Sequence, residues 1–176
     1  MHARNNRIER NFRLLSLLAV ASLLIAQSNS PDTATALSVG GDVPNPLTLT
    51  AADLAKLPRR SVTFQEHGGS NATYEGVALI DLLQKAGAPL GSQLKGKAMA
   101  SYVLATARDG YQVTFTLAEL DPMFRDSTVI IADKRDGKPI PSSIGPLRIV
   151  AATDKKGARS VRMLEKLQVV LLAQGH

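Results

Sequence analysis

The sequence predicts an α+β domain. Strand-length apolar runs recur at residues 61–65 (SVTFQ), 111–115 (YQVTF), 129–132 (VIIA), 147–151 and 167–172. Only short helical patterns fall between them, and the two kinds of element do not alternate regularly, which argues against a doubly wound sheet. The composition is that of a globular chain, with 44% hydrophobic and 20% charged residues.

The elements are read in order. Leu37, Ser38 and Val39 form a short strand running into Gly40 and Gly41, and residues 47–49 form a second strand after a turn made by Pro44 and Pro46. Thr50 caps a short helix with Asp53 three residues on, and Pro58 ends it. After the strand at 61–65, residues 67–71 (HGGSN) are a loop. Residues 77–86 (VALIDLLQKA) carry a helical apolar stripe through Leu79, Leu82 and Leu83, and Gly87 stands at the C′ position. Residues 100–107 and 111–115 flank Arg108, Asp109 and Gly110 as a hairpin. Thr116 and Glu119 are spaced as a second capping box, and Asp136-Gly137 marks another turn. The runs at 147–151 and 167–172 read as central strands.

The first 28 residues have the pattern of a removable leader. Polar and basic residues 1–13 precede an apolar run of 13 residues (LLSLLAVASLLIA), followed by small and polar residues. A membrane-spanning helix needs about 20 apolar residues, so no stable span is expected once the leader is removed. No arginine pair precedes the run, so the expected destination is the periplasm or the exterior by the general secretory route. Residues 29–36 read as a linker and 37–173 as one domain.

The formal charge of +6 includes +3 from Arg4, Arg7, Arg10 and Arg13 against Glu9, leaving +3 for the remainder. That balance, with few aromatic residues and no Trp, argues against nucleic acid as a partner. The chain contains no cysteine, so it holds no thiolate-bound metal.

Three stretches taken together resemble the molybdopterin-binding domain of the sulfite oxidase family. They are residues 37–58 with the run VGGDVPNPLTLTAADLAKLP, residues 74–87 beginning YEGVAL, and the pair GPLRIV (145–150) and GARSVR (157–162). ARDGY (107–111) falls between them in the matching order. The resemblance implies mixed sheets with short helices in a single domain, and a molybdopterin cofactor whose metal takes one Cys thiolate. That Cys would fall near Gln65, Glu66 or His67, where this chain has none. Ser143 also stands where the family tends to have a His, and Ala152 where it has a Pro.

Arg148, Arg159, Ser160 and Arg162 form the leading candidate site. Guanidinium forks and the amides near Gly157 suit a phosphate or other oxyanion, and the resemblance implies that this segment holds the phosphate arm of the pterin. The alternative is a solvated basic loop, with Arg148 paired to a carboxylate. Lys155 and Lys156 read as surface. His67 is a candidate base or ligand, and otherwise a loop histidine. Arg108, with Asp109 and Tyr111, lines a pocket or forms a plain turn. Glu119 reads as a helix cap rather than an acid catalyst, Asp121-Pro122 as a helix exit rather than a carboxylate partner, and Ser142-Ser143 lacks a nearby His or Lys that would activate a nucleophile. The expected function is binding of a pterin-like or other anionic small molecule, or of a partner protein. The alternatives are an oxidoreductase with a metal ligand other than Cys and an interaction domain without a ligand.

Overall fold

The computed structural model describes residues 35–172. The expected leader, nearly all of the linker and residue 173 lie outside the described residues.

The first sheet holds β1 (Thr35–Gly41), β2 (Leu47–Thr50), β5 (Tyr102–Ala107), β6 (Gln112–Thr116) and β10 (Leu164–Val170), in the order β2-β1-β10-β5-β6. β1 and β10 run parallel and the other pairs antiparallel, so the sheet is mixed. The second sheet holds β3 (Arg59–Gln65), β4 (Asn71–Ala78), β7 (Val129–Arg135), β8 (Lys138–Pro139) and β9 (Arg148–Ala151), all antiparallel. β8 and β9 both pair with β7, at its two ends.

Three short helices connect strands. α1 (Ala51–Ala55) and α3 (Leu117–Leu120) each begin with the capping box read from the sequence: Thr50 Oγ1 and Thr116 Oγ1 each accept from the amide three residues on, at 3.2 Å. α2 (Leu79–Ala86) buries Leu79, Leu82, Leu83 and Ala86 and ends at Gly87 in the left-handed region, φ 80°. These leucines join both sheets in the larger core cluster. Phe64, Ala72, Tyr74, Ile130, Ala132, Ile140 and Val150 form a smaller cluster on the other face of the second sheet.

Three expectations are corrected. Residues 77 and 78 belong to β4, so the helix starts at Leu79 rather than 77; the apolar stripe could not separate the buried end of a strand from the first turn of a helix. Asn71 is not loop but the first residue of that strand. β9 is paired on one edge only, not central. Its residues are all buried because core clusters cover both its faces, and that burial, not two-sided pairing, makes the run apolar. Its free edge is met by the segment beyond: Ile149 N donates to Val161 O at 2.8 Å and Ala151 N to Ser160 Oγ at 3.2 Å. The hairpin of β5 and β6, the strand at 129–132 and the turn at Asp136-Gly137 are as expected.

Gly76 sits where β4 shifts register against β7, and an added Cβ would lie 2.0 Å from Ile131 O. Gly76→Ala should lower stability by about 1–3 kcal/mol, read from the urea midpoint. Gly40→Ala, where a Cβ meets nothing within 4 Å, should shift it by far less.

Candidate functional site

Strand alternation places a charge in an apolar cluster. Ile149 and Ala151 face the larger core, so Arg148 and Val150 face the smaller one. Arg148 is 5% exposed, and burying its charge unpaired would cost several kcal/mol. Its Nη1 donates to Glu66 Oε1 at 2.9 Å and to the Tyr74 hydroxyl at 2.5 Å. The Tyr74 hydroxyl in turn donates to Glu66 Oε1. The guanidinium carbon lies 5.3 Å from the Phe64 ring centre and 4.9 Å from that of Tyr74, so ring faces add cation–π attraction. Arg148 Nε is buried and has no hydrogen-bond partner among the described residues.

The β3–β4 turn supplies the carboxylate. Glu66 N donates to Ser70 O at 2.7 Å and Gly69 N to Glu66 O at 3.0 Å. Gly68 and Gly69 have φ of 103° and 89°, which residues with a Cβ rarely adopt. Burial pushes the Glu66 carboxyl upward, but the Tyr74 hydroxyl and the Arg148 guanidinium outweigh it and hold the group below its ordinary range. Burial and then the Glu66 carboxylate push the Tyr74 hydroxyl up, against the opposing pull of Arg148.

Above this network opens a cleft of about 520 Å³, within the range of small-molecule sites. Phe64 and Arg148 line it from the second sheet, Glu66 from the β3–β4 turn, Asp109 and Tyr111 from the β5–β6 turn, and the segment from Lys155 to Arg162 from the chain after β9. The Tyr111 hydroxyl donates to Ala158 O at 2.8 Å, tying the turn to that segment. Four cations (Arg148, Lys155, Lys156, Arg162) face two carboxylates (Glu66, Asp109), so the cleft is net positive. Lys155, Lys156 and Arg162 have no carboxylate partner among the described residues.

The candidates read from the sequence therefore divide. Arg148, Ser160, Arg162 and His67 line the cleft, and Arg159 and Arg108 do not. Arg159 Nε and Nη2 donate to the two Asp154 oxygens at 2.8 Å each, and its Nη1 donates to Glu119 Oε1 at 2.9 Å. Its guanidinium also stacks 4.8 Å from the Phe115 ring centre. The Asp154 carboxylate above all holds the Arg159 proton more firmly than usual. This fork fastens the basic segment to α3 and is not left free for a ligand. Arg108 Nη2 donates to the carbonyls of Ser142 and Gly145 at 3.0 and 2.9 Å. The Ser160 hydroxyl accepts from β9, and His67 is exposed. Glu119 is a helix cap, as expected, and also the second partner of Arg159. Asp121 is buried and accepts from Met123 N and Gly91 N. Sequence reasoning missed Tyr74; Lys155 and Lys156, read as surface, are exposed and line the cleft. The alternation of Ala72 and Tyr74 beside Phe64 was the available signal for Tyr74.

The fold and cleft define an α+β domain with a net-positive cleft formed where a two-sided sheet meets a basic loop. The family described as the oxidoreductase molybdopterin binding domain matches residues 26–174. The chain belongs to that family. Among solved structures, the sulfane dehydrogenase SoxCD from Paracoccus pantotrophus is similar in fold, with a TM-score of 0.58 and 23% identity over 76% of this chain. The chain spans 37% of the length of that relative. No relative matches among the curated proteins.

The side chains of the cleft fit the family cofactor only in part. Thiolate ligation does not fit, because the chain has no cysteine. Glu66, near the expected ligand position, already accepts from Arg148 and Tyr74. No group of three or more His, Cys, Asp or Glu able to hold a metal occurs among the described residues. Lys155, Lys156 and Arg162 match in charge the phosphate arm that such a cofactor carries.

The folded Glu66 carboxyl is held below its ordinary value, so its contribution to stability is complete above that value, about 4.3. It is lost as pH falls through the lower folded value. Glu66→Gln should destabilise the protein at pH 7 by on the order of 3 kcal/mol, by leaving Arg148 unpaired. It should also flatten the acid limb of the Tm–pH curve. Acid limbs of equal slope in the two proteins would exclude this account.

Proposed function

We propose that this chain is an exported binding domain of the molybdopterin-binding family. It takes an anionic, pterin-like small molecule in the cleft and does not use a thiolate-ligated metal. The observation that carries this reading is the combination of three unpaired cations, Lys155, Lys156 and Arg162, around one cleft in a chain without cysteine. Charge-assisted hydrogen bonds from lysine and arginine to phosphate-type oxygens are among the stronger polar contacts in water. Arg148 supports the site from beneath: it anchors Glu66 and the two rings and holds the floor in place. Arg159 acts at a distance, by fixing the loop on which the lysines stand. Family membership supports a pterin-like ligand over other anions. Export rests on the leader pattern alone.

Pyrophosphate should raise the Tm of the purified protein, with stabilisation of about 2.7 kcal/mol at one hundred times its Kd. Replacing Lys155, Lys156 and Arg162 by Ala should weaken pyrophosphate at least tenfold, by loss of charge-assisted contacts of about 1.5–3 kcal/mol each. Lys166→Ala, the loss of an exposed charge on β10, should leave it unchanged. Elemental analysis of protein purified from its native compartment should find no stoichiometric molybdenum. One molybdenum per chain would replace this reading with an oxidoreductase that has a ligand other than Cys.

A further inference from the structure

The floor and the rim of the cleft differ in chemistry. At the floor, Glu66 Oε1 accepts from both Arg148 and Tyr74, while Oε2 takes no hydrogen bond among the described residues. The Glu66 side chain keeps 12% of its surface exposed and lines the cleft. A carboxylate is an acceptor only, so the group it offers a ligand is a negatively charged acceptor. At the rim, Lys155, Lys156 and Arg162 are donors whose side chains have no partner among the described residues. A phosphate or sulfate that sought Arg148 would meet the Glu66 carboxylate in the same network, and like charges at that distance repel. The rim, with its unpaired donors, is therefore the better place for an oxyanion.

We propose that Glu66 Oε2 receives an N–H donor on the head group of the ligand, while Lys155, Lys156 and Arg162 hold an oxyanion at its other end. The cleft then selects a molecule with a donor-bearing head and a phosphate-like tail, and fixes its orientation. This rests on the binding function proposed above and adds the ligand's polarity to it. Phe64, buried, and Tyr111, half exposed, both line the cleft with Glu66 and offer ring surface to a flat head. Selectivity of this kind is large because a carboxylate already withdrawn from water loses its only ligand partner when the donor is missing.

Titration calorimetry with three probes tests this. GMP and purine riboside 5′-monophosphate share ring size, sugar and phosphate, but only GMP carries N–H donors on its base; pyrophosphate carries the anion alone. The wild-type protein should bind GMP at least tenfold more tightly than purine riboside monophosphate, and Glu66→Gln should remove most of that difference. If the two nucleotides bind wild type equally while pyrophosphate binds, the donor site at Glu66 is wrong and the anion cleft stands. If pyrophosphate also fails to bind, the cleft reading falls, and the assignment with it. The wild-type comparison decides the matter even where Glu66→Gln fails to fold.

Discussion

A guanidinium turned by strand alternation into an apolar cluster sets the terms for the second sheet. Arg148 cannot reach solvent, so its charge is met by the Glu66 carboxylate, the Tyr74 hydroxyl and the faces of two rings. Removing either charge alone leaves the other buried, which is among the most costly single changes a core suffers. The partners come from β3, β4 and the turn that joins them, while the arginine comes from β9. β7 lies between β4 and β9 in the hydrogen-bonded order, so the network spans the sheet over its surface as the ladder spans it through its backbone.

That network also explains the polarity of the cleft. The cation that a basic site would be expected to use most, the buried arginine, is neutralised by its own carboxylate. The cations left over belong to an exposed segment, and that segment is held by another arginine that has likewise been spent on carboxylates, Asp154 and Glu119. Two arginines thus build the cleft, and Lys155, Lys156 and Arg162 are left without carboxylate partners among the described residues. Residue type alone would rank them the other way, because a guanidinium fork is the better oxyanion ligand.

What was legible in the sequence was local. The capping boxes at Thr50 and Thr116, the left-handed stop at Gly87 and the turn at Asp136-Gly137 depend on residues within a few positions of each other, and all are present. The ordered motifs led to the fold family, which the comparisons support over nearly the whole described chain. Partners distant in sequence were not legible. Glu66 and Arg148 lie 82 residues apart, and nothing near either names the other. β4 was hidden for a related reason: its first residues are polar, its bulge carries a glycine, and only pairing with both β3 and β7 makes it a strand. β9 was misjudged because apolar runs report covered faces, and an edge closed by a following loop leaves no mark in composition.

The parallel pairing of β1 with β10 joins the first described strand to the last, and Ser38 Oγ reaches Glu165 O across 127 residues. β10 also stands between β1 and β5, so without it the first sheet falls into two unconnected pairs. Closing so long a loop is entropically expensive, and contacts of this range slow folding. A chain that emerges from its N-terminus, from a ribosome or through a membrane pore, can zip β3 to β4 and β5 to β6 as it appears. The first sheet has to wait for the last strand. Until then β1 offers a bare edge, and the chain depends on its own C-terminal portion, or on something that shields that edge in the meantime, to stay out of the pairings of its neighbours.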